Sequence, residues 1–257
     1  MVMYLLGHDE AELRRLEHQA AMLAPATELI LRMAGLEPGM RVLDLGTGTG
    51  DVARIAASLV GPTGSVTAID SAPEALETAR ALSPGTIEYV EGDVASWHDG
   101  REFDAVIGRL ILLYTRDAAA VLRHHAASLR PGGLMVAMEF DMTGARSVPP
   151  TAAVADAQRW ITGAFGRAGL DAGLGARLSE IFTAAGMPGY AQLGLQAYHG
   201  PDSHDGPQIL AGVLRTMLPL FTEPVDPEAV ADQMRAELAA ARAVFVPPTL
   251  VGCWGAV

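Results

Sequence analysis

The segment RVLDLGTGTGDVA, Arg41 to Ala53, restricts the fold of this chain more than any other. An apolar run carries Asp44 near its end, and glycines follow at 46, 48 and 50. Val52, Ile55, Ala56, Leu59 and Val60 then recur at helical spacing up to Gly61. A strand, a tight turn and a helix in immediate succession open a parallel-sheet unit. The glycines serve the turn, because a backbone without Cβ bends sharply off the strand and brings its amides close to a ligand.

The alternation continues to residue 141. GSVTAID reads as a second strand, APEALETARAL as a helix with Pro73 in its first turn, IEYVEGD as a third strand and FDAVIGR as a buried fourth. DAAAVLRHHAASLRPGG reads as a helix stopped by Pro131 and its glycine pair, and LMVAMEF as a fifth strand. The flanks are different in character. Residues 1–39 are mostly helical, with Leu13, Leu16, Ala20 and Leu23 on one stripe, and further helices fall within 143–186 and 203–245. YAQLGLQAY reads as a strand, and PPTLVGCWGAV as a last strand closing the sheet. The expectation is an α/β fold: a doubly wound, seven-stranded, mostly parallel, Rossmann-like sheet over residues 40–257. Helical caps come from residues 1–39 and from insertions at about 143–172 and 203–245.

Composition narrows the chemistry. There is no lysine, so Schiff-base catalysis and a GxxxxGK[ST] phosphate loop are excluded. A formal charge of −12 and scattered arginines argue against a nucleic-acid partner. The single Cys253 has no partner for a disulfide or a zinc site. The first residues do not read as a secretory leader and no apolar run approaches a membrane span, so a cytoplasmic protein that uses no membrane is expected.

The carboxylates narrow it further. In a GxGxxG dinucleotide loop the third glycine would fall at residue 51, where this chain has Asp51; a carboxylate at a helix start repels a pyrophosphate. The ligand is therefore expected to carry no phosphate there. Asp70 ends the second strand, where it can accept bonds from both hydroxyls of a ribose. Asp93 follows the third strand and can accept from an exocyclic amine such as that of adenine. Each alone also fits an ordinary strand-end or helix-cap aspartate; the ordered series Asp44, Gly46, Gly48, Gly50, Asp70, Asp93 is harder to obtain by coincidence.

With VLDLGTGTG, AIDSAPEAL, EGDVASW, FDAVIGRLIL and LRPGGLMVAMEF in that order, residues 40–141 resemble the class I S-adenosylmethionine-dependent methyltransferases of the small-molecule type. The resemblance implies S-adenosyl-L-methionine as cofactor. It assigns Asp44, Gly46, Thr47, Gly48 and Gly50 to the methionine part, Asp70 and Ser71 to the ribose, and Asp93 with Val94 to the base. It also sets Arg109 and Leu110 beside the transferred methyl. Tyr4 and Gln19, on the N-terminal helix that many such proteins fold over the cofactor, are expected at its methionine end.

The acceptor is less constrained. GRLI at 108–111 replaces the Asn/Asp-Pro-Pro-aromatic tetrad of base and amide methylation. The absence of any asparagine removes the Asp/Asp/Asn magnesium cluster, so no metal is expected. A small, fairly hydrophobic metabolite, methylated on oxygen, is the expectation, with nitrogen and carbon open. QILAGVLRTMLPLF, apolar on most sides, is either deeply packed or lines a cavity. His199 is the first candidate for a general base and Glu139 the second, both at or after strand ends where ligands bind. His124 and His125 are expected on an outer face in structural roles. A cyclase or rearrangement enzyme using the same cofactor, and a non-catalytic partner subunit, are the alternatives. The protein is expected to be a monomer or homodimer.

Overall fold

A computed structural model describes the backbone from Glu10 onward except at Pro84 and Thr86, and side chains from Ala20 onward except at those two positions and Thr216. Tertiary contacts divide the chain into two compact units. The first holds Ala20–Glu139, Ala176–Leu193 and Val251–Val257; the second includes Phe140–Gly175 and Gly194–Leu250.

The first unit is built on a twisted sheet. Its strands are β1 (Arg41–Leu45), β2 (Ser65–Asp70), β3 (Ile87–Glu91), β4 (Phe103–Arg109), β5 (Leu129–Asp141), β7 (Tyr190–Leu195) and β9 (Thr249–Ala256). They lie side by side in the order β3-β2-β1-β4-β5-β9-β7. From β3 to β5 every pair is parallel. The sequence explains why: Val42, Leu43, Val66, Ile69, Val106, Ile107, Met135 and Val136 are buried, the near-continuous apolar runs of strands covered on both faces. The last strand does not close an edge. It inserts between β5 and β7, and hydrogen bonds join Gly132 and Gly133 at the start of β5 to Val257 just beyond its end, so β9 runs antiparallel to β5.

Helices α2 (Asp51–Val60), α3 (Pro73–Leu82) and α4 (Ala118–Ala126) cross between the strands. The α4 helix stops at Ala126, short of Pro131, because Leu129 is already paired with Phe103 of β4. The sheet, not the proline, sets that boundary. Helix α1 (Glu10–Ala34) carries the N-terminal apolar stripe onward through Leu23, Thr27, Ile30 and Leu31, all buried. Helix α6 (Leu178–Ala184) is also in this unit and buries Phe182.

The second unit contains α5 (Ala152–Arg167), α7 (Asp205–Met217) and α8 (Pro227–Ala241), with an antiparallel ribbon of β6 (Arg146–Val148) and β8 (Val244–Val246). The ribbon is absent from the sequence-based expectation, since three-residue strands leave no readable alternation. Ile209, Leu210 and Val213 of α7 line a small apolar cavity of about 30 Å³ with Val154 and Ile161 of α5 and Phe245 of β8. So the apolar 208–221 segment both packs and lines a cavity. No helix among the described residues is long and apolar enough to cross a membrane.

Candidate active site

Strand order reverses between β1 and β4, where an open α/β sheet leaves a crevice beyond its carboxyl ends. Register pairs Asp44 with Ile107 and Leu45 with Gly108 there. The glycine turn follows at once. Gly46, Gly48 and Gly50 have φ of 64°, 53° and 81°, a region open to glycine and strained for other residues. The turn is fastened to β2: Thr47 N donates to Ile69 O (2.9 Å) and Gly48 N to Asp70 Oδ2 (2.8 Å). Asp70 Oδ1 accepts from Ala72 N (2.9 Å). Asp70 therefore shapes the turn as well as standing at the strand end, and the neighbouring Ser71 is exposed.

Asp44 is 1% exposed, and neither of its carboxylate oxygens completes a hydrogen bond. Burial pushes its pKa from 3.8 to about 7; Thr47 and Arg109 oppose the rise, while Asp51 and Asp70 add to it. Thr47 Oγ1 is likewise buried without completing a hydrogen bond. Two polar groups without partners, at the mouth of a turn that glycine alone accommodates, form the most conspicuous deficit in this unit.

Arg109 is not free. Its guanidinium pairs with Asp51 and donates to Thr27 Oγ1 of α1 (2.8 Å), with 7% of the side chain exposed. The ion pair spans 58 residues and the hydroxyl contact 82, separations no local pattern reveals. Asp51, read from the sequence only as a group that repels phosphate, is the partner of Arg109. Thr27 stands on the buried stripe of α1, and a hydroxyl at a core position was the one available signal.

Leu110 then adopts φ 56°, unusual for a residue with a side chain, and its amide donates to Met138 O (2.8 Å). Glu139 holds the rest of this bend: Oε1 accepts from Ile111 N (2.9 Å) and Leu112 N (2.6 Å). Its Oε2 is buried and unpartnered. Burial raises the Glu139 pKa from 4.5 to about 7 against the lowering effect of those amides. Ile111 in turn occupies the space where Gly46 would carry a Cβ. The bend and the glycine turn are packed directly on one another.

Asp93 lies two residues past the end of β3 and is exposed; its Oδ1 accepts from Ala95 N (2.8 Å) and its carbonyl from Ser96 N and Trp97 N. Val94 is half-buried. Behind this loop stand the two histidines of α4. They are not on an outer face: His125 is 0% exposed, its Nε2 2.7 Å from Val94 O, and His124 Nε2 lies 3.0 Å from Trp97 O. Burial lowers the His125 pKa from 6.5 to about 4. The sequence misleads here because polar residues on a crossover helix usually face water.

His199 belongs to the second unit. Its backbone pairs with Phe245, its ring stacks on Phe245 at 6.1 Å, and Nδ1 lies 3.4 Å from Ser203 Oγ. Tyr4 lies outside the described residues, and for Gln19 only the helical backbone is described. Among the described residues, no group of three His, Cys, Asp or Glu side chains is arranged to hold a metal ion.

Residues 42–133, from β1 into β5, match the methyltransferase-domain family. A ubiquinone/menaquinone biosynthesis C-methyltransferase UbiE of Ectopseudomonas mendocina is 32% identical over 120 residues, covering 44% of this chain and 47% of that protein. A trans-aconitate 2-methyltransferase of Methylobacterium radiotolerans is 29% identical over 211 residues, 79% of this chain and 78% of that protein. Among solved structures, the phosphoethanolamine N-methyltransferase 2 of Haemonchus contortus, in complex with phosphomonomethylethanolamine and S-adenosylhomocysteine, superposes with a TM-score of 0.57 at 17% identity. That match covers 91% of this chain and 52% of that one. The chain spans about half the length of the UbiE-type relatives that it matches.

Proposed function

We propose, from the match of residues 42–133 to the methyltransferase-domain family, that this chain is a class I S-adenosylmethionine-dependent methyltransferase and that it methylates a small, fairly hydrophobic metabolite on oxygen. The observation that carries the reading is Asp44. A fully buried carboxylate whose two oxygens complete no hydrogen bond can take a cation, and it stands at a glycine turn with open space beside Gly48. S-adenosyl-L-methionine supplies such a cation and, when bound, an electrophilic methyl group whose loss leaves a neutral thioether.

The residues fit that group. Asp44, Thr47 and the turn Gly46–Gly50 hold the methionine part, with Thr47 Oγ1 able to take up a further bond. Asp70 accepts the ribose hydroxyls on lone pairs left over from Gly48 N and Ala72 N, and Ser71 stands beside it. Asp93 and Val94 receive the base. Arg109 stands beside the cofactor and acts on the site through Asp51, with Nη1 bonded to Thr27 and Nη2 to Asp51.

An acceptor other than nucleic acid is supported by the net charge of −12. Oxygen transfer needs the acceptor proton to be removed. His199, half-buried and hydrogen-bonded at most weakly, is suited to accept it. Glu139 instead positions the bend, because its bonded oxygen is spent on backbone amides and the other is buried without a partner. The protein mainly aligns the two reactants, an effect worth up to about 7–11 kcal/mol in favourable geometry.

Two measurements test this. Asp70→Ala is expected to weaken S-adenosylhomocysteine binding by at least about tenfold, because it releases Gly48 as well as the ribose; unchanged calorimetric affinity would refute the assignment. His199→Ala is expected to slow single-turnover methyl transfer by roughly 100-fold with cofactor affinity intact. Equal single-turnover rates would remove His199 from the mechanism. The whole reading is tested by counting S-adenosylhomocysteine against methylated product over a panel of hydroxylated apolar acceptors.

A further inference from the structure

We propose that His125, seconded by His124, is a positioning residue for the base of the cofactor, acting through the loop of residues 92–97. The inference rests on the reading that Asp93 and Val94 receive the base.

The loop is fixed at three points. Gly92 N donates to Asp70 O (2.9 Å), which ties its first residue to the end of β2. Trp97 packs over Gly92, where a Cβ would approach its Cγ to 2.9 Å. The third point is the histidine pair. A carbonyl oxygen only accepts, so the Nε2 of each ring carries the proton and donates, His125 to Val94 O and His124 to Trp97 O. The two rings meet edge to face at 4.9 Å, each limiting the rotation of the other. His125 Nδ1 is buried and unpartnered. A buried ring that leaves one nitrogen unsatisfied is retained at a cost, and the bond that it makes instead is to the backbone of the residue expected beside the base. A purely apolar side chain would fill this core position without that cost.

The mechanism is one of orientation. With Val94 O engaged from behind, the peptide following it is held in one plane, and Asp93 stays where its exposed carboxylate can reach an exocyclic amine. Released, the loop keeps its internal turn but loses its angle to β2.

The test compares S-adenosylhomocysteine with S-inosylhomocysteine, which has a ring oxygen substituent in place of the adenine amine, by calorimetry. The wild-type protein is expected to prefer the adenosyl ligand by about tenfold or more. His125→Phe keeps the bulk and removes the donor; it is expected to weaken S-adenosylhomocysteine by roughly tenfold and to erase most of the discrimination. His125→Gln, whose amide still donates, is expected to restore the discrimination. A residue that only fills the core would alter the unfolding midpoint and leave the ratio of the two affinities unchanged, and that result overturns the proposal. Asp93→Ala separates the premise from the inference. If Asp93→Ala abolishes discrimination and His125→Phe does not, the histidine role falls alone; if Asp93→Ala leaves discrimination intact, the base lies elsewhere and both fall.

Discussion

Asp44→Asn is expected to stabilise the ligand-free protein at pH 8 and, at the same pH, to cost about 100-fold in affinity for S-adenosylmethionine. Both halves come from one carboxylate. Its pKa rises from 3.8 to about 7 on folding, chiefly because burial penalises its charged form. Between those values the folded chain keeps a proton that the unfolded chain has given up. Stability is therefore fully present below pH 3.8 and is lost as the pH rises through about 7. Above that, the ligand-free protein carries a buried, unpaired charge worth on the order of 4 kcal/mol. Asparagine occupies nearly the same volume and never ionises.

The pH dependence distinguishes this from an ordinary packing effect. The stability difference between Asp44→Asn and wild type, read by urea unfolding, should be small at pH 4, grow towards pH 7 and then level off. A difference independent of pH would defeat the argument. Other groups do not confuse the comparison, since they are common to both proteins. Glu139 titrates in the same direction, while His125, held down to about 4, opposes both below its ordinary value of 6.5. The loss of affinity follows from the same charge. A sulfonium or ammonium next to an ionised, desolvated carboxylate is worth roughly 3 kcal/mol, and asparagine offers only a dipole. Wild-type protein at pH 7 should release protons on binding the cofactor, and Asp44→Asn should release fewer.

How much of this is readable in the residues depends on the range of the interaction involved. The strands from β1 to β5 are legible because parallel strands are buried on both faces, and runs such as VIGR and LMVAMEF mark them directly. The glycine turn is legible because positive φ in three places within five residues calls for glycine. What is illegible is the destination of polar side chains. The partners of Arg109, Asp51 and Thr27, are not marked by any local pattern. Glu139 reads as a candidate base, although its bonds go to the amides of Ile111 and Leu112. His125 reads as a structural residue on an outer face and lies fully buried. Each difference has the same origin: strand-end position can be inferred from periodicity, whereas the partner of a side chain is chosen by packing between segments far apart in sequence. The small β6–β8 ribbon escapes for a related reason, since neither strand is long enough to show a pattern without the other.

Gly50→Ala is expected to destabilise the protein by about 3 kcal/mol and to weaken cofactor binding, with part of the stability restored by Tyr89→Phe. Gly50 caps α2 at φ 81°, a conformation that costs a residue with Cβ roughly 1–2 kcal/mol. The added methyl also has nowhere to go. It would meet Tyr89 Oη at 2.5 Å, Tyr89 Cε1 at 3.1 Å and Ala79 Cβ at 3.1 Å. Overpacking of a core contact of this kind typically costs about 1–3 kcal/mol. Tyr89 offers the means to separate the two contributions. Its hydroxyl is buried and completes no hydrogen bond, so Tyr89→Phe alone should change stability by less than about 1 kcal/mol. In the double variant the shortest contact disappears while the backbone strain and the Ala79 contact stay. The share due to the hydroxyl contact should then be recovered and the rest retained, a coupling of about 1 kcal/mol in a double-mutant cycle. Strict additivity would mean that the contact with the Tyr89 hydroxyl contributes nothing to the cost of Gly50→Ala. Because the amide of Gly50 also closes the turn onto Thr47 O, any relief that lets α2 back away must move Thr47 and, with it, the hydroxyl facing Asp44. Stability and cofactor affinity should therefore recover together in the double variant, and recovery of one without the other would show that the turn and the helix move independently.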